Sequence, residues 1–190
     1  MQRVEATGAL TGRKVRTVQA GPVTGLLGQV LLLAALARSV GLSGAGWLVG
    51  VTAAVIASAA LARGLSRYRH DRLGPADWVT LTRGSLAVGV AALVADSFDQ
   101  PAPVALLVTL TVVALSLDAV DGWIVRRSGT ATPLGGHFDA EVDAFLILVL
   151  SVYVARSAGA WVLAIGAARY AFLAAGRLVP WMREQLPPRY

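Results

Sequence analysis

The sequence predicts an all-α protein, a polytopic integral membrane helical bundle with about six transmembrane helices and with both termini in the cytoplasm. Three observations lead to this prediction: the composition, the length of the apolar segments, and the basic residues that flank them. Of the 190 residues, 56% are hydrophobic and 15% are charged, whereas soluble domains carry about 25% charged residues. A chain this apolar would expose too much apolar surface to remain disordered in water.

The apolar residues are concentrated in six segments that approach the length of about 20 residues needed to cross a bilayer. The segments are 22–40, 45–62, 76–95, 103–125, 138–155 and 158–179. The first contains too long an apolar run for a cleavable signal peptide, so we interpret it as a membrane span. The last residues, 180–190, are interpreted as a loop.

The basic residues lie mainly on one side of these predicted spans. That side carries thirteen of them, while the other side carries only Arg38 and Arg156. Because Lys and Arg are enriched in short cytoplasmic loops, we expect both termini and the loop after the fourth span to face the cytoplasm. The basic residues are arginines except for Lys14, a composition typical of a GC-rich bacterial genome and hence of a bacterial plasma membrane.

The composition also excludes several kinds of site. The chain has no cysteine and two histidines, which excludes disulfides, thiolate metal sites and a His-rich zinc cluster. A net charge of +6 would suit nucleic acid, but the arginines flank apolar segments and no recognisable nucleic-acid module is present. We therefore expect membrane lipids and no nucleic acid as partners, and any metal site must use carboxylates.

Four aspartates are grouped around the loop between the fourth and fifth spans. Asp118 and Asp121 are three residues apart at the end of the fourth span. Asp139 and Asp143 are four residues apart at the start of the fifth, so each pair shares one helix face. The short loop makes the two helices antiparallel neighbours, and the carboxylates then converge. Such a group repels itself unless cations neutralise it, and oxygen-only ligands suit two Mg²⁺ or Mn²⁺ ions, a clamp typical of displacement at phosphorus.

Glycines and an arginine lie beside these aspartates. Gly122 leaves room for a ligand against the helix, and Gly135 and Gly136 allow a close backbone approach or an unusual turn. Arg126 lies one turn beyond Gly122, where its planar guanidinium can hold a phosphate with two hydrogen bonds. Each residue also has a simpler interpretation: a single aspartate near a helix end can be a cap, and Arg126 can anchor the helix at the cytoplasmic surface.

The run 118–143 resembles the signature of the CDP-alcohol phosphotransferase (CDP-alcohol phosphatidyltransferase) family, D-x2-D-G-x2-A-R-x8-G-x3-D-x3-D. Every spacing is kept, and the one departure is Val125, where the family has alanine. The matching residues are Asp118, Asp121, Gly122, Arg126, Gly135, Asp139 and Asp143. Seven residues of these types at these offsets are a specific signal.

A second, weaker similarity precedes the third span. The family pattern P-N-x-x-T-x-x-R is matched with one inserted residue and with Asp in place of Asn, at Pro75, Asp77, Thr80 and Arg83. The resemblance implies that 1–74 is an N-terminal cytoplasmic segment with two additional transmembrane helices. It implies that 75–190 is the catalytic core. The family has one or two more core helices, which leaves open whether this core is truncated at its C-terminal end.

The resemblance implies a membrane transferase of phospholipid biosynthesis. Such enzymes move a phosphatidyl-type group from a CDP-linked lipid, most often CDP-diacylglycerol, to an alcohol or alcohol-phosphate acceptor and release CMP. The four aspartates would hold two metal ions, and Asp143 would also be the base that accepts the proton of the incoming hydroxyl. The residues implied to bind CDP are Thr80, Gly122, Arg126 and Gly135. A homodimer is expected from the resemblance.

Two arginines inside predicted spans, Arg83 and Arg169, have two interpretations each. Ionisable groups at this depth are costly and are functional candidates by default. Each arginine either forms a structural ion pair with an aspartate or binds an anionic acceptor such as an alcohol phosphate. The sequence does not decide between these interpretations.

Two other functions also stay open. A cation-coupled transporter places carboxylates in its spans, but it predicts inverted repeats and charges near the bilayer midplane. Here the aspartates cluster at one membrane face and no repeat is visible. A catalytically inactive family member could act as a structural subunit, although such a protein would usually have lost at least one metal ligand.

Overall fold

The structure, a computed structural model, describes residues 2–68, 75–128 and 133–179. Within these ranges it is all-helical, as predicted, with six helices and no strand. The helices are α1 (Gln2–Val40), α2 (Gly44–Tyr68), α3 (Pro75–Asp96), α4 (Val104–Ser128), α5 (Pro133–Ala158) and α6 (Val162–Leu178). Each predicted span therefore corresponds to one helix.

Two helices begin well before the apolar segments that predicted them. Helix α1 begins at Gln2 rather than at residue 22, and α5 begins at Pro133 rather than at residue 138. Apolar composition shows only where a helix suits lipid, whereas backbone hydrogen bonding continues into polar residues. Gly135 and Gly136 consequently lie in the first turns of α5 and not in a turn before it. The predicted loop 180–190 lies outside the described residues.

Within the described residues, four helices contain stretches long and apolar enough to cross a membrane. These stretches are Gly21–Val40, Gly44–Ser66, Asp77–Asp96 and Val104–Arg127. Helix α5 carries three carboxylates near its start, and α6 has 17 residues, so membrane crossing by these two stays a prediction. Large apolar side chains lie exposed on the outer faces, for example Leu31 at 69% and Leu48 at 70%. Such surfaces suit lipid, and the protein is a helical membrane protein.

The described residues fall into two compact units, the first ending at Leu146 and the second beginning at Ile147. Helix α3 is the centre of the first unit, because it packs against α1, α2 and α4. In its apolar stretch 67% is buried, against 17% to 22% in the stretches of α1, α2 and α4. Most side chains of this stretch, including Thr80 and Arg83, therefore meet protein rather than lipid.

Small residues bring α1, α2 and α3 close together. A Cβ atom added to Gly50 of α2 would lie 2.6 Å from Cδ2 of Leu33 and 3.1 Å from Cβ of Ala92. Leu33 and Ala92 belong to a buried cluster that also contains Ala54 and Val88. This core fixes α3 against the first two helices, which also fixes the direction in which its polar residues point.

In the second unit, α6 lies close to the second half of α5. A Cβ atom on Gly166 would lie 2.8 Å from Cα of Leu148 and 2.8 Å from Oγ of Ser151. One of the contacted atoms is backbone, which cannot move away cheaply, so only glycine fits at this crossing. Between the helices, Gly159 has a φ of 100° and ends α5 in a conformation that favours glycine.

Candidate active site

The four aspartates of the signature meet where α4 ends and α5 begins. Asp121 is buried, and its side chain is 6% exposed. The side chains of Asp118, Asp139 and Asp143 are 43%, 34% and 41% exposed. Carboxylate oxygens of Asp118, Asp121 and Asp139 all lie within 4.8 Å of one another. The predicted convergence of carboxylates from two helices is therefore present in the structure.

A single arginine from α3 joins all four carboxylates. Arg83 is 1% exposed, and its Nη1 lies 2.9 Å from Oδ1 of Asp118 and 2.9 Å from Oδ2 of Asp121. The same Nη1 donates to Oδ1 of Asp139, and Nη2 donates to Oδ1 of Asp143. Of the two interpretations of Arg83, the ion pair with aspartate is the one that the geometry contains. Its role in binding an acceptor stays a prediction.

One helical turn before Arg83, Thr80 reaches the same group. Thr80 is 4% exposed, and its hydroxyl donates a hydrogen bond to Oδ2 of Asp121 at 3.2 Å. Asp121 thus accepts hydrogen bonds from two residues of α3. Such contacts fix the direction of a carboxylate. The predicted contact of Thr80 with CDP stays a prediction beside this observed one.

Apolar packing places α5 beside α3 at this point. Gly84 follows Arg83, and a Cβ atom on it would meet Cγ2 of Val142 at 3.6 Å and Cζ of Phe138 at 4.0 Å. Phe138 also packs on a buried cluster formed by Leu61, Leu65 and Leu81. Because Phe138 and Val142 alternate with Asp139 and Asp143 along α5, this packing holds the two aspartates at the edge of the core.

On α4, Arg126 folds back over Gly122. A Cβ atom on Gly122 would lie 3.1 Å from Nη1 and 3.7 Å from Cζ of Arg126. Arg126 is exposed, so its guanidinium remains accessible to an anion beside Asp121. Arg127 instead stacks over the Trp123 ring, with Cζ 5.2 Å from the ring centroid. The two neighbouring arginines therefore have different surroundings, and the predicted contact of Arg126 with a phosphate stays a prediction.

Gly135 and Arg169 were also predicted to belong to the site. Gly135 is half-buried near the start of α5, and Gly136 has open space around its Cα. The CDP-binding role of Gly135 stays a prediction. Arg169 belongs to α6 in the second compact unit, where it is half-buried. Its role towards an acceptor likewise stays a prediction.

The donor set fits a hard divalent cation. Asp118, Asp121 and Asp139 each offer a carboxylate oxygen to one point, and Asp143 is joined to them through Arg83. Oxygen ligands without sulfur or imidazole favour Mg²⁺ or Mn²⁺ over zinc. These carboxylates also neutralise the positive charge of the Arg83 side chain.

Comparison with known protein families bears on this arrangement. A family model described as CDP-alcohol phosphatidyltransferase matches residues 73–189, more than half of the chain. The chain belongs to the CDP-alcohol phosphatidyltransferase family. The resemblance inferred from the signature is thereby confirmed, and the family's reaction class is a phosphotransfer between a CDP-alcohol donor and an alcohol acceptor. No curated protein and no solved structure gives a significant match.

For this CDP-alcohol phosphatidyltransferase family member, the sequence predicted that the carboxylates converge and offered an ion pair of Arg83 with an aspartate, but it did not identify the partners of Thr80 and Arg83. The three-residue spacing of Thr80 and Arg83 was the available signal, because it puts both on one face of α3. That spacing does not say which helices lie opposite. The contacts with Asp121 and the other carboxylates required the packed structure.

Proposed function

We propose that this protein transfers a phosphatidyl-type group from a CDP-linked lipid, most often CDP-diacylglycerol, to an alcohol or alcohol-phosphate acceptor, with release of CMP, in phospholipid biosynthesis. The observation that carries the proposal is the convergence of four signature aspartates from α4 and α5 at one end of α3. Family membership supports the general reaction. Donor, acceptor and pathway are our inference.

In this proposal, Asp118, Asp121, Asp139 and Asp143 would hold two ions of Mg²⁺ or Mn²⁺. Ions bound there would supply charge neutralisation at the diphosphate and stabilise displacement at phosphorus. Asp143 accepts the proton of the acceptor hydroxyl as its oxygen bonds to the lipid phosphorus. The bond from that phosphorus to the phosphate oxygen of CMP breaks, and CMP leaves with the electron pair.

Other residues orient the donor. The accessible guanidinium of Arg126, lying over Gly122, suits the diphosphate oxygens because its planar fork offers paired donors. Thr80 and Gly135 complete the proposed CDP site, and Arg83 and Arg169 are the proposed contacts of an anionic acceptor. Apolar helix faces beside the carboxylates suit a donor with an acyl tail. The carboxylate site would take its charged head, and the apolar faces would contact its acyl chains.

The proposal includes the setting of the reaction. The excess of basic residues on one side of the spans supports an active site that faces the cytoplasm of a bacterial plasma membrane. Membrane lipids surround the bundle, nucleic acid is not a partner, and two copies of the chain form a homodimer.

The test is CMP release by the purified full chain in detergent, with CDP-diacylglycerol as donor and Mg²⁺ or Mn²⁺ present. Glycerol 3-phosphate, inositol 1-phosphate, inositol and serine are supplied separately as acceptors. We expect release that requires one acceptor and stops on addition of a chelator. Asp143→Asn is the control for chemistry, because it keeps the shape of the side chain and removes its charge.

Each outcome has a definite meaning. Acceptor-dependent CMP from the parent protein and none from Asp143→Asn supports the proposal and identifies the acceptor. No CMP with any acceptor, from a monodisperse protein that binds Mn²⁺, contradicts the proposed transfer and favours an inactive member or a cation-binding transporter.

A further inference from the structure

We propose that Arg83 is the internal counter-cation of the aspartate site, which holds the four carboxylates together before metal binds and then competes with the metal for them. This inference rests on the proposed metal site. It assigns to Arg83 a positioning role distinct from contact with an acceptor. It also predicts that removal of the Arg83 charge increases the affinity of the site for a metal ion.

The contacts of Arg83 coincide with the candidate ligands. The three residues whose carboxylate oxygens lie within 4.8 Å of one another are Asp118, Asp121 and Asp139. Nη1 of Arg83 pairs with these same three, while Nη2 pairs with Asp143. The guanidinium therefore uses the carboxylates that a metal ion would need.

The charge balance indicates why a cation belongs there. Asp118 and Asp121 come from α4, whereas Asp139 and Asp143 come from α5. Without a cation between them, carboxylates brought this close repel one another and push the two helices apart. Arg83 contributes one positive charge against four carboxylates, so it reduces the repulsion and leaves net negative charge to attract a metal ion.

Because Arg83 is buried, its charge always competes with a metal ion for the carboxylate oxygens. The residue is 1% exposed, and a guanidinium stays protonated in proteins. The positive charge can therefore neither be lost by deprotonation nor be hydrated in place. A metal ion that takes carboxylate oxygens must weaken their contacts with Nη1 and Nη2, and this cost reduces the metal affinity.

The Nε atom of Arg83 also indicates that charge determines the position of this side chain. Its Nε is buried and has no hydrogen-bond partner among the described residues. A buried donor without a partner is costly, and a side chain selected only for packing would avoid it. The side chain instead extends both terminal nitrogens towards the carboxylates, which is expected if the attraction to Asp118, Asp121, Asp139 and Asp143 determines its conformation.

The decisive experiment measures Mn²⁺ binding by electron paramagnetic resonance, without substrate, on the full chain in detergent. The variant is Arg83→Gln, and thermal unfolding is recorded with and without Mn²⁺. We expect Arg83→Gln to bind Mn²⁺ about tenfold more tightly, because a positive charge in contact with the ligands is removed. We also expect its metal-free form to unfold at a lower temperature and its Mn²⁺-dependent stabilisation to be larger.

Arg127→Gln is the matched control, because it removes an arginine whose guanidinium lies over the Trp123 ring. That charge is exposed, so screening by solvent and salt leaves the Mn²⁺ affinity unchanged. If Arg83→Gln fails to fold, Arg83→Lys is decisive. Its compact ammonium lacks the two-nitrogen fork, and we expect tighter Mn²⁺ binding by about threefold.

The outcomes separate this inference from the proposed function. Tighter Mn²⁺ binding with a less stable metal-free protein supports the counter-cation. Unchanged or weaker Mn²⁺ binding in the Arg83 variants, with normal binding by the parent protein, overturns it and leaves the metal site intact. Absence of Mn²⁺ binding by the parent protein itself overturns both.

Discussion

The two ends of α3 each bury a charged residue, and they satisfy it in different ways. Near the first end, the cation Arg83 contacts four carboxylates from α4 and α5. At the other end, the anion Asp96 is 2% exposed and meets neutral donors. It accepts hydrogen bonds from the backbone N–H of Ser43 at 2.6 Å and from the side-chain amide of Gln100.

The surroundings of Asp96 form a closed structural unit. Gln100 also donates to the backbone carbonyl of Gly41 at 2.9 Å, and Gly41 ends α1 with a φ of 74°. These bonds tie the α1–α2 loop to the end of α3. The single negative charge of Asp96 accepts hydrogen bonds from neutral groups and requires no counter-ion. At the other end, the one positive charge of Arg83 among four carboxylates leaves net negative charge that can bind a cation. An excess of like charge, rather than burial of a charge, thus distinguishes the site.

The comparison is tested by replacing one aspartate with asparagine in each of the two groups, and the larger effect is expected at the group around Arg83. Asp121→Asn removes a carboxylate that Arg83 and Thr80 both contact. We expect CMP release to fall by about 100-fold or more, since outer partners of a metal ligand alone cost about 10- to 100-fold. Steady-state CMP release and Mn²⁺ binding measure the effect. A fully active Asp121→Asn would contradict the assignment of this carboxylate to the metal site.

A smaller change sharpens the assignment of α3 to the site. Thr80→Val removes the hydroxyl that donates to Asp121 but keeps the side-chain volume, and we expect Mn²⁺ affinity to fall by about tenfold. Thr80→Ser retains the hydroxyl and serves as the control, with affinity close to the parent protein. If Thr80→Val instead raises only the KM for the CDP-linked donor, Thr80 contacts the nucleotide and does not orient Asp121.

The smallest expected effect on activity belongs to the opposite end. Asp96→Asn preserves an acceptor oxygen for Ser43 but removes the charge, so we expect a loss of about 1 kcal/mol in the free energy of unfolding. CMP release per folded molecule should stay unchanged. Thermal unfolding in detergent and the activity assay are run on the same preparation. A loss of activity without a loss of stability would mean that both ends of α3 serve the reaction.

Much of the site could be predicted because its evidence is local in sequence. The spacings of Asp118 with Asp121 and of Asp139 with Asp143 fix the face that each pair shares. The four-residue spacing of Asp96 and Gln100 carried a similar signal, but nothing along the chain identified Ser43 and Gly41 as their partners. Contacts between residues separated by more than fifty positions depend on how the helices pack.

The sequence by itself determined the helical membrane class, the grouping of four carboxylates at the junction of α4 and α5, and the resemblance to the CDP-alcohol phosphatidyltransferase family. These follow from composition and spacing, which act within one helix or between neighbours. Only the tertiary structure decided that α3 lies at the centre and directs Arg83 into the carboxylates. The reason is physical: periodicity fixes which residues share a helix face, whereas close packing of side chains decides what that face meets.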